Sequence, residues 1–303
     1  MRIHLIQMQT KHQIRDLLSS AGIKPNKRLG QHFLIDLNLM RLLVDSANIQ
    51  KDDVVLEVGC GTGSMTGALA EKAGKVIAIE LDRNLCKIAQ KQLSDAENLQ
   101  LINADILESK HVLDHTVVNA LSLAREQYRG RILLVANLPY DVASSLFMNL
   151  VVGPTIADAM YVTVQKEVAH RMTAVPASSD YGILSIFLSA TGDVKLIRTL
   201  KPAVFWPRPQ VDSAMVSFVR NQIKSDRIAN MELFNKIVHL FMGHRRKTLL
   251  SCSKLAGGKL AEIADWAKIF EQCSINPKQR PETLHPEEYI DIANCVGNSL
   301  FLY

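Results

Sequence analysis

The sequence predicts an α/β fold with a mostly parallel sheet, followed by a small all-helical domain. Two observations carry this prediction: short apolar runs alternate with amphipathic helical stretches in the first two thirds, and after about residue 221 the pattern is helical throughout. Strands that alternate with helices form βαβ units, which build parallel sheets. Strands are predicted for the apolar runs at 53–58, 75–79, 99–102, 132–136 and 159–164.

The stretches that connect these strands have helical periodicity at 64–73, 83–93 and 117–128. Two later extended stretches flank a proline-rich loop at 201–210, and we expect them to form an antiparallel hairpin at 193–200 and 212–220. Helices are then predicted at 232–242, 247–255, 260–272 and 286–296. This pattern predicts an N-terminal extension at 1–23 with a short helix, an α/β domain at 24–222, and a helical domain at 223–303.

Composition narrows the class of protein. The chain has 303 residues, of which 48% are hydrophobic, enough for a large core. No apolar run approaches the ~18 residues of a membrane span, and the apolar part of the N-terminus is too short for a secretory signal. The five cysteines form no CxxC pair, so we expect reduced thiols in a cytoplasmic protein and neither disulfides nor a zinc site. The net charge of 35 − 30 = +5 permits a nucleic-acid partner.

Three features at successive strand ends predict a nucleotide-like cofactor. Glu57-Val-Gly-Cys-Gly-Thr-Gly63 is a glycine-rich turn between a strand and a helix, where the backbone can approach a ligand closely. Glu80 follows the next strand, 80 − 59 = 21 positions after Gly59, a spacing typical of an acid that binds ribose hydroxyls. Asp105, after the third strand, can accept from an adenine amine. Without a feature for a pyrophosphate, this set favours S-adenosylmethionine over NAD.

Asn137-Leu138-Pro139-Tyr140 follows the predicted strand at 132–136. The Asn137 side chain and the Leu138 carbonyl can accept hydrogen bonds from an exocyclic amine, and Tyr140 offers a flat face for a base. The four residues therefore predict a site that holds an adenine by its amino group.

With these motifs together, the chain resembles the ribosomal RNA adenine dimethyltransferases, and in particular those that act on small-subunit RNA. The resemblance spans about residues 24–295, and further motifs carry it: Leu29-Gly-Gln-His-Phe-Leu34, Gln165–Ala169, Tyr181–Ser185, Phe205–Ser213, Arg245–Leu249 and Arg280–Tyr289. It implies a Rossmann-like, doubly wound sheet of a class I S-adenosylmethionine-dependent methyltransferase, with a small helical C-terminal domain that binds rRNA or the ribosome.

The resemblance also implies roles for individual residues. Catalytic positions are Asn137, Leu138, Pro139 and Tyr140, with Phe205 as the second stacking face for the target base. Many relatives have Asn where this chain has His32. The cofactor positions are His32, Leu34, Gly59, Gly61, Glu80, Leu81, Asp105, Ile106 and Asn137. Candidate RNA-binding residues are Lys27, Arg28, Arg208, Arg245, Arg246 and Lys247.

The implied reaction dimethylates N6 of two adjacent adenosines in the 3′-terminal hairpin of 16S rRNA. S-adenosylmethionine is the expected methyl donor and no metal is expected. The expected partner is 16S rRNA in the immature 30S subunit, bound by a monomer that does not associate with membranes.

Other functions remain open at this point. One is dimethylation of 23S rRNA, which shares the fold and the Asn-Leu-Pro-Tyr type of motif, although the chain length and the 280–289 segment favour the 16S enzyme. Another is a DNA adenine methyltransferase, but those usually carry Pro where Leu138 stands. A third, of a different class, is a ribosome-assembly factor that acts mainly by binding immature subunits.

Overall fold

A computed structural model of the chain describes residues 8–26, 29–153 and 156–300. The strands are β1 Phe33–Leu34, β2 Val54–Val58, β3 Lys75–Ile79, β4 Leu99–Ile102, β5 Leu107–Ser109, β6 Val112–Leu113, β7 Ile132–Asn137, β8 Ala159–Gln165, β9 Gly192–Leu200, β10 Phe205–Trp206 and β11 Ser213–Arg220. The helices are α1 Lys11–Ser20, α2 Leu37–Ser46, α3 Thr66–Lys72, α4 Arg83–Gln92, α5 His115–Gln127, α6 Ala143–Val152, α7 Lys166–Thr173, α8 Ile183–Thr191, α9 Gln222–Asp226, α10 Met231–Met242, α11 Leu249–Ser253, α12 Trp266–Gln272 and α13 Pro286–Leu300.

The central sheet has the strand order β4-β3-β2-β7-β8-β11-β9. The first five strands in this order pair in parallel, and β11 pairs with β8 in the antiparallel direction. The predicted parallel sheet with a late antiparallel addition is therefore confirmed. From β2 the chain first builds outward to β3 and β4 and later returns to place β7 on the other side of β2. That reversal creates a crevice at the carboxyl ends of β2 and β7, where doubly wound sheets bind ligands.

The middle strands of the sheet are buried and mostly apolar, with Glu57 and Asn137 as the polar residues near the carboxyl ends of β2 and β7. Every residue of β2 is buried, and so are the first five of the six residues in β7. Helices cover both faces of such a sheet, which explains why these strands read as continuous apolar runs and not as alternating patterns. The side chains at the strand ends are consequently held on a rigid platform.

An ion pair between the buried Asp53 and the partly exposed Arg131 connects the amino ends of two central strands, at the end of the sheet opposite the crevice. The Asp53 side chain, 3% exposed, receives Nη2 of Arg131 at 2.6 Å and the backbone N–H of Arg131 at 2.8 Å. The Gln50 backbone N–H donates at 2.9 Å to Oδ2, the same oxygen that Nη2 of Arg131 binds. Burial alone would raise the pKa of Asp53, but the bonds to Arg131 and Gln50 hold that pKa below its usual range. The pair ties the start of β2 to the start of β7.

Contacts divide the chain into two compact units. The first contains Met1–Ala169 and Lys195–Val219, and the second contains His170–Val194 and Arg220–Tyr303. The second unit therefore takes in residues 170–194, which the sequence-based division had assigned to the α/β domain. That division, with boundaries at 23/24 and 222/223, otherwise stays a prediction.

The second unit is helical, as expected, but two predicted helices differ. The helix predicted at 247–255 is the shorter α11, and the single helix predicted at 260–272 is wrong at its start. A 3₁₀ segment covers Gly258–Glu262, and α12 begins only after Asp265, whose side chain accepts from the Lys268 backbone N–H at 3.1 Å. Aspartate competes for backbone donors at a helix start, and this favours a new N-cap over a continuous helix.

Candidate active site

A pocket opens at the carboxyl ends of β2, β3 and β7, within the first unit. The two motifs on which the functional prediction rested both line it, although they are far apart in sequence: the turn at 57–62 and the segment 137–140. The whole segment 29–34 lines it as well. Among the predicted cofactor and catalytic residues, those that line the pocket are His32, Leu34, Gly59, Gly61, Glu80, Leu81, Asp105, Ile106, Asn137, Leu138, Pro139 and Tyr140.

The glycine-rich turn after β2 lies against the proline of the second motif. The backbone N–H groups of Gly59 and Cys60 donate to the Ile79 carbonyl, which fixes the turn to the end of β3. Gly59 has φ of +75°, and a Cβ at this position would lie 3.0 Å from Cδ of Pro139. Only glycine accommodates both the left-handed backbone and this close approach. The turn and the Asn-Leu-Pro-Tyr segment thus form adjacent walls of one pocket.

Glu80 sits at the end of β3 with both carboxylate oxygens engaged by the backbone. Oε2 accepts from the Gly61 N–H at 2.7 Å, and Oε1 accepts from the Asp82 N–H at 2.9 Å. Burial raises the pKa of Glu80, while these two N–H groups act in the opposite direction. The carboxylate therefore connects the glycine-rich turn with the start of α4 and keeps further lone pairs for a ligand.

Asp105 and Leu81 are exposed at the rim of the pocket, and Ile106 is buried behind them. Oδ1 of Asp105 accepts from the Leu107 backbone N–H at 3.0 Å. The side chain of Asn103 donates to the carbonyls of Glu80 and Leu81 at 2.7 and 3.1 Å. This amide holds the loops after β3 and β4 side by side, so that Glu80 and Asp105 face one cavity.

Glu57 is a pocket residue whose role sequence reasoning missed. It is 2% exposed, and its Oε2 has no hydrogen-bond partner among the described residues. Burial raises its pKa to about 8; the Thr66 side chain acts in the opposite direction, and the nearby Glu80 carboxylate adds to the rise. A buried carboxyl group without a partner is costly, and it marks a place where a cationic ligand group would be favoured. The residue was visible in the sequence only as the first letter of the glycine motif.

The amide of Asn137 is held at both ends. Its Nδ2 donates to the His32 carbonyl at 2.8 Å, and its Oδ1 accepts from the hydroxyl of Thr163. Thr163 is 1% exposed and lies opposite Asn137 in the β7–β8 register, and its carbonyl accepts from the Leu138 N–H. These bonds define which end of the amide is oxygen. The role of Thr163 follows from strand register, which the sequence did not provide.

Tyr140 is held by two contacts in the first unit. Its hydroxyl shares a 2.8 Å hydrogen bond with the buried Ser213 hydroxyl at the start of β11. Its ring stacks on the His32 ring with centroids 5.5 Å apart and planes at 29°. Nδ1 of His32 donates to the Pro207 carbonyl at 2.7 Å, and this carbonyl can only accept. His32 therefore covers part of one face of Tyr140, and the tyrosine ring is fixed at the pocket wall.

Phe205 is not at the pocket. It is 1% exposed, belongs to the hydrophobic core of the first unit, and pairs with Leu34 across the β1–β10 ladder. The next residue, Trp206, stacks on Phe33 with ring centroids 6.2 Å apart. Side chains alternate along a strand, so Phe205 faces the main core while Trp206 packs against the separate cluster of Ile14, Leu18 and Leu85. Phe205 does not line the pocket, and its stacking on the target base stays a prediction.

The predicted RNA-binding residues differ in what their charges contact. Arg208, Arg246 and Lys247 are exposed. Arg245 donates to Oε2 of Glu282 at 2.9 Å and to the Tyr181 carbonyl at 3.4 Å, all within the second unit. Its charge is partly used to hold that unit together. Lys27 and Arg28 lie outside the described residues.

Two further findings concern metals and membranes. Among the described residues, Glu108, Asp114 and His115 bring potential metal-ligating atoms within 4.8 Å of one another, and none of the three lines the pocket. In the part of the chain that the structure describes, no helix is both long enough and apolar enough to span a membrane.

The sheet order, the glycine-rich turn, the acids at successive strand ends and the held Asn137 amide together define a methyltransferase that uses S-adenosylmethionine. The sequence profile of the family described as "Ribosomal RNA adenine dimethylase" matches residues 22–296. The chain belongs to this family, and it is an rRNA methyltransferase.

Similar sequences cover nearly the whole chain. A protein of Pelotomaculum thermopropionicum named "Ribosomal RNA small subunit methyltransferase A" is 34% identical over 93% of this chain and 94% of its own length. A protein of Alkaliphilus metalliredigens with the same name is 36% identical over 90% of this chain and 92% of its own.

Solved structures agree on the fold. A dimethyladenosine transferase from Plasmodium falciparum superimposes with a TM-score of 0.69 at 21% identity, covering 86% of this chain and 95% of that one. The 23S rRNA methyltransferase ErmE gives a TM-score of 0.59 at 20% identity, covering 88% of this chain and 99% of that one. At these identities the likeness supports the fold and does not decide between 16S and 23S rRNA as the substrate.

Proposed function

We propose that this protein transfers methyl groups from S-adenosylmethionine to N6 of two adjacent adenosines in the 3′-terminal hairpin of 16S rRNA, with a role in small-subunit biogenesis. The observation that carries the proposal is the placement of Asn137-Leu-Pro-Tyr140 against the glycine-rich turn. The two segments are so close that a Cβ added at Gly59 would lie 3.0 Å from Cδ of Pro139. The small-subunit target rests on the names of full-length relatives.

The polar groups that line the pocket fit S-adenosylmethionine. Glu57 offers an unpartnered, buried carboxyl oxygen, which suits the ammonium or sulfonium charge of that molecule. Glu80 and Asp105 offer acceptors for ribose hydroxyls and for the adenine amine. A Cβ at Gly59 or Gly61 would lie 3.0 Å from Pro139 or Phe33, so the glycines let these pocket walls pack closely against the turn. His32, Leu34, Leu81 and Ile106 would complete the binding surface. S-adenosylmethionine supplies an electrophilic methyl group on a positively charged sulfur.

Asn137 and Leu138 would position the nucleophile. An adenine amine is a weak nucleophile because its lone pair is delocalised into the ring. Hydrogen bonds from N6 to Oδ1 of Asn137 and to the Leu138 carbonyl favour a tetrahedral nitrogen whose lone pair points at the methyl group. Such catalysis works by positioning and electrostatics. Since the N6 proton becomes acidic only after transfer, no strong base and no metal are required.

Tyr140 would stack on the target adenine, which has to leave its stacked position in the RNA to enter the pocket. Because His32 already covers part of one face of the tyrosine ring, we place the base on the other face. With Phe205 buried in the core, the opposite face of the base is left to another partner, such as the RNA itself.

Exposed basic residues would hold the RNA backbone. Arg208, Arg246 and Lys247 are exposed and can meet phosphates, which positions RNA without reading its sequence. Lys27 and Arg28 are proposed to bind RNA as well. The partner would be 16S rRNA within the immature 30S subunit, bound by a monomer in the cytoplasm.

The decisive experiment is a methylation assay with the purified protein and labelled S-adenosylmethionine. Undermethylated 30S particles, protein-free 23S RNA and adenine-containing DNA are offered separately, and the products are digested to nucleosides. We expect N6,N6-dimethyladenosine only with 30S particles, and none with Asn137→Ala. Product on 23S RNA alone would redirect the proposal to large-subunit RNA. The absence of product on every substrate, with the same result for Asn137→Ala, would overturn it.

A further inference from the structure

The N-terminal segment before the glycine-rich turn contains a buried polar side chain that the proposed reaction does not use. Gln9 is 6% exposed, although it precedes the first helix and is followed by a largely exposed sequence. Glutamine is rarely buried unless its amide is fully hydrogen-bonded. Its partners therefore indicate why it is there.

Gln9 forms three hydrogen bonds with the turn between β2 and α3. Its Oε1 accepts from the Thr62 hydroxyl at 2.6 Å, and its Nε2 donates to the Thr62 carbonyl at 3.2 Å. Its backbone N–H donates to the Ser64 hydroxyl at 2.8 Å. One residue thus bonds both the side chain and the backbone of Thr62, across 53 positions of sequence. An amide is the side-chain group that can accept and donate in this way at one point.

The turn that Gln9 contacts is rich in glycine, so its backbone has many accessible conformations. Gly61 and Gly63 flank Thr62 and both have positive φ, at +60° and +83°. Glycine has more backbone conformations available than other residues, so a ligand that binds here has to select one of them. Gln9 removes part of that freedom before the ligand arrives. Thr62 and Ser64 line the pocket themselves.

The helix that follows Gln9 brings a second group to the pocket. In α1, Ile14 is fully buried, lines the pocket, and packs with Leu18 and Leu85 in a separate hydrophobic cluster. Thr10 and Gln13 form a capping box at the start of this helix. The helix is therefore held in place by its own cap and by apolar contacts on the α4 side of the pocket.

We infer that Gln9 and Ile14 belong to the cofactor site: Gln9 is a positioning residue that holds the glycine-rich turn in its binding conformation, and Ile14 forms a wall of the cavity. This inference rests on the proposed use of S-adenosylmethionine, and it adds a structural role for a segment in which the sequence showed no chemistry. It predicts that changes at Gln9 weaken cofactor binding without direct contact between Gln9 and the cofactor.

The test measures binding of S-adenosylmethionine and S-adenosylhomocysteine by isothermal titration calorimetry, using the full chain and no RNA. Gln9→Met has nearly the same shape but can neither accept from nor donate to Thr62. We expect its Kd for both molecules to rise about tenfold, the equivalent of about one net hydrogen bond. In the methylation assay, KM for the cofactor should rise similarly while kcat at saturating cofactor changes by less than about twofold.

Thr10→Ala is the matched control, because it removes the capping box of the same helix and leaves the Gln9 contacts intact. Thermal unfolding should show a similar loss of stability for Thr10→Ala and Gln9→Met, but only Gln9→Met should lose cofactor affinity. Ile14→Ala should lose affinity as well. A double variant of Gln9→Met with Thr62→Val should bind no more weakly than Gln9→Met alone, since the one Gln9 bond that Thr62→Val removes is already lost in Gln9→Met.

Equal Kd values for Gln9→Met and the unaltered protein would overturn the inference, as would equal losses of affinity in Gln9→Met and Thr10→Ala. The binding readout does not depend on RNA. If the unaltered protein binds cofactor but methylates no RNA, the proposed reaction fails while the role of Gln9 is still decided by the titrations. If the unaltered protein binds neither molecule, both are overturned.

Discussion

The hydroxyl of Thr163 donates a hydrogen bond to Oδ1 of Asn137, and the two residues face each other across strands β7 and β8. The bond leaves Oδ1 with a second lone pair for a ligand, and together with the bond from Nδ2 to the His32 carbonyl it keeps the amide from flipping. The orientation of the Asn137 side chain is therefore set in part by Thr163, a residue that does not line the pocket.

Thr163→Val should lower kcat on 30S particles by about tenfold, because loss of the hydroxyl removes one of the two hydrogen bonds that orient the Asn137 amide, worth about 1–2 kcal/mol. The side chain keeps its shape, so the fold should be retained. Thr163→Ser is the matched control and should keep most of the activity. Cofactor Kd should stay within about twofold in both variants, and a loss of kcat in Thr163→Ser equal to that in Thr163→Val would contradict this role.

Tyr140→Ala should reduce kcat/KM for the RNA by about tenfold to a hundredfold, since stacking on an aromatic ring contributes ~1–3 kcal/mol per base. Tyr140→Phe keeps the ring and loses only the bond to the Ser213 hydroxyl, so its loss should be about threefold or less. Steady-state kinetics on 30S particles measures both variants. Equal losses in the two variants would indicate that the hydroxyl, and not the ring face, is what matters.

Glu57 should make the stability of the ligand-free protein depend on pH. Its pKa is raised by burial from a usual value of 4.5 to about 8, so the folded state binds this proton more tightly than the unfolded state does. The contribution of Glu57 protonation to the free energy of unfolding is therefore present in full below about pH 4.5 and is lost as the pH rises toward 8. The free energy of unfolding falls over this range by up to ~1.4 kcal/mol per pH unit.

Urea unfolding between pH 5 and 8 tests this expectation. The free energy of unfolding should fall more steeply with pH in the unaltered protein than in Glu57→Gln, in which the titrating group is absent. Glu80 changes stability in the same direction, because burial raises its pKa too, so the Gln variant should keep a residual slope. Identical slopes in the two proteins would rule out Glu57 as the source.

Arg131→Met should destabilise the protein by about 2–3 kcal/mol without changing cofactor affinity. It leaves the Asp53 carboxylate, 3% exposed, without its ion-pair partner, although the backbone N–H groups of Gln50 and Arg131 still bind it. Urea unfolding at neutral pH measures the loss. Arg129→Met, at an exposed arginine two positions away, is the control and should cost less than about 0.5 kcal/mol.

Replacing Arg246 and Lys247 by alanine should weaken binding to 16S rRNA and make it less dependent on salt. Each phosphate contact that is lost reduces the slope of log K against log salt by about 0.7–0.9. Lys268→Ala removes an exposed positive charge from another part of the same unit and serves as the control. Unchanged salt slopes in the double variant, measured by filter binding from 50 to 200 mM salt, would exclude these residues from the RNA surface.

Local patterns in the sequence are sufficient to predict the strands of the parallel sheet and most of the predicted pocket residues. Most residues of the strands β2, β3, β7 and β8 are apolar because both faces of a parallel sheet are covered, and such runs can be recognised in the sequence alone. The ends of parallel strands meet at one edge, so the glycine-rich turn, Glu80, Asp105 and Asn137 were predicted to lie together from their positions alone. Family resemblance added His32 and Leu34.

Tertiary structure decided what depends on register and on contacts between distant segments. Phe205 and Trp206 are both aromatic, and only the pairing of β10 with β1 turns the first into the core. Thr163 orients Asn137 because the β7–β8 register places them opposite each other. Gln9 holds Thr62 across 53 positions, a contact that no local pattern encodes. Composition and periodicity reflect how each segment is buried, whereas the partner of a buried polar group is selected only when the segments are packed together.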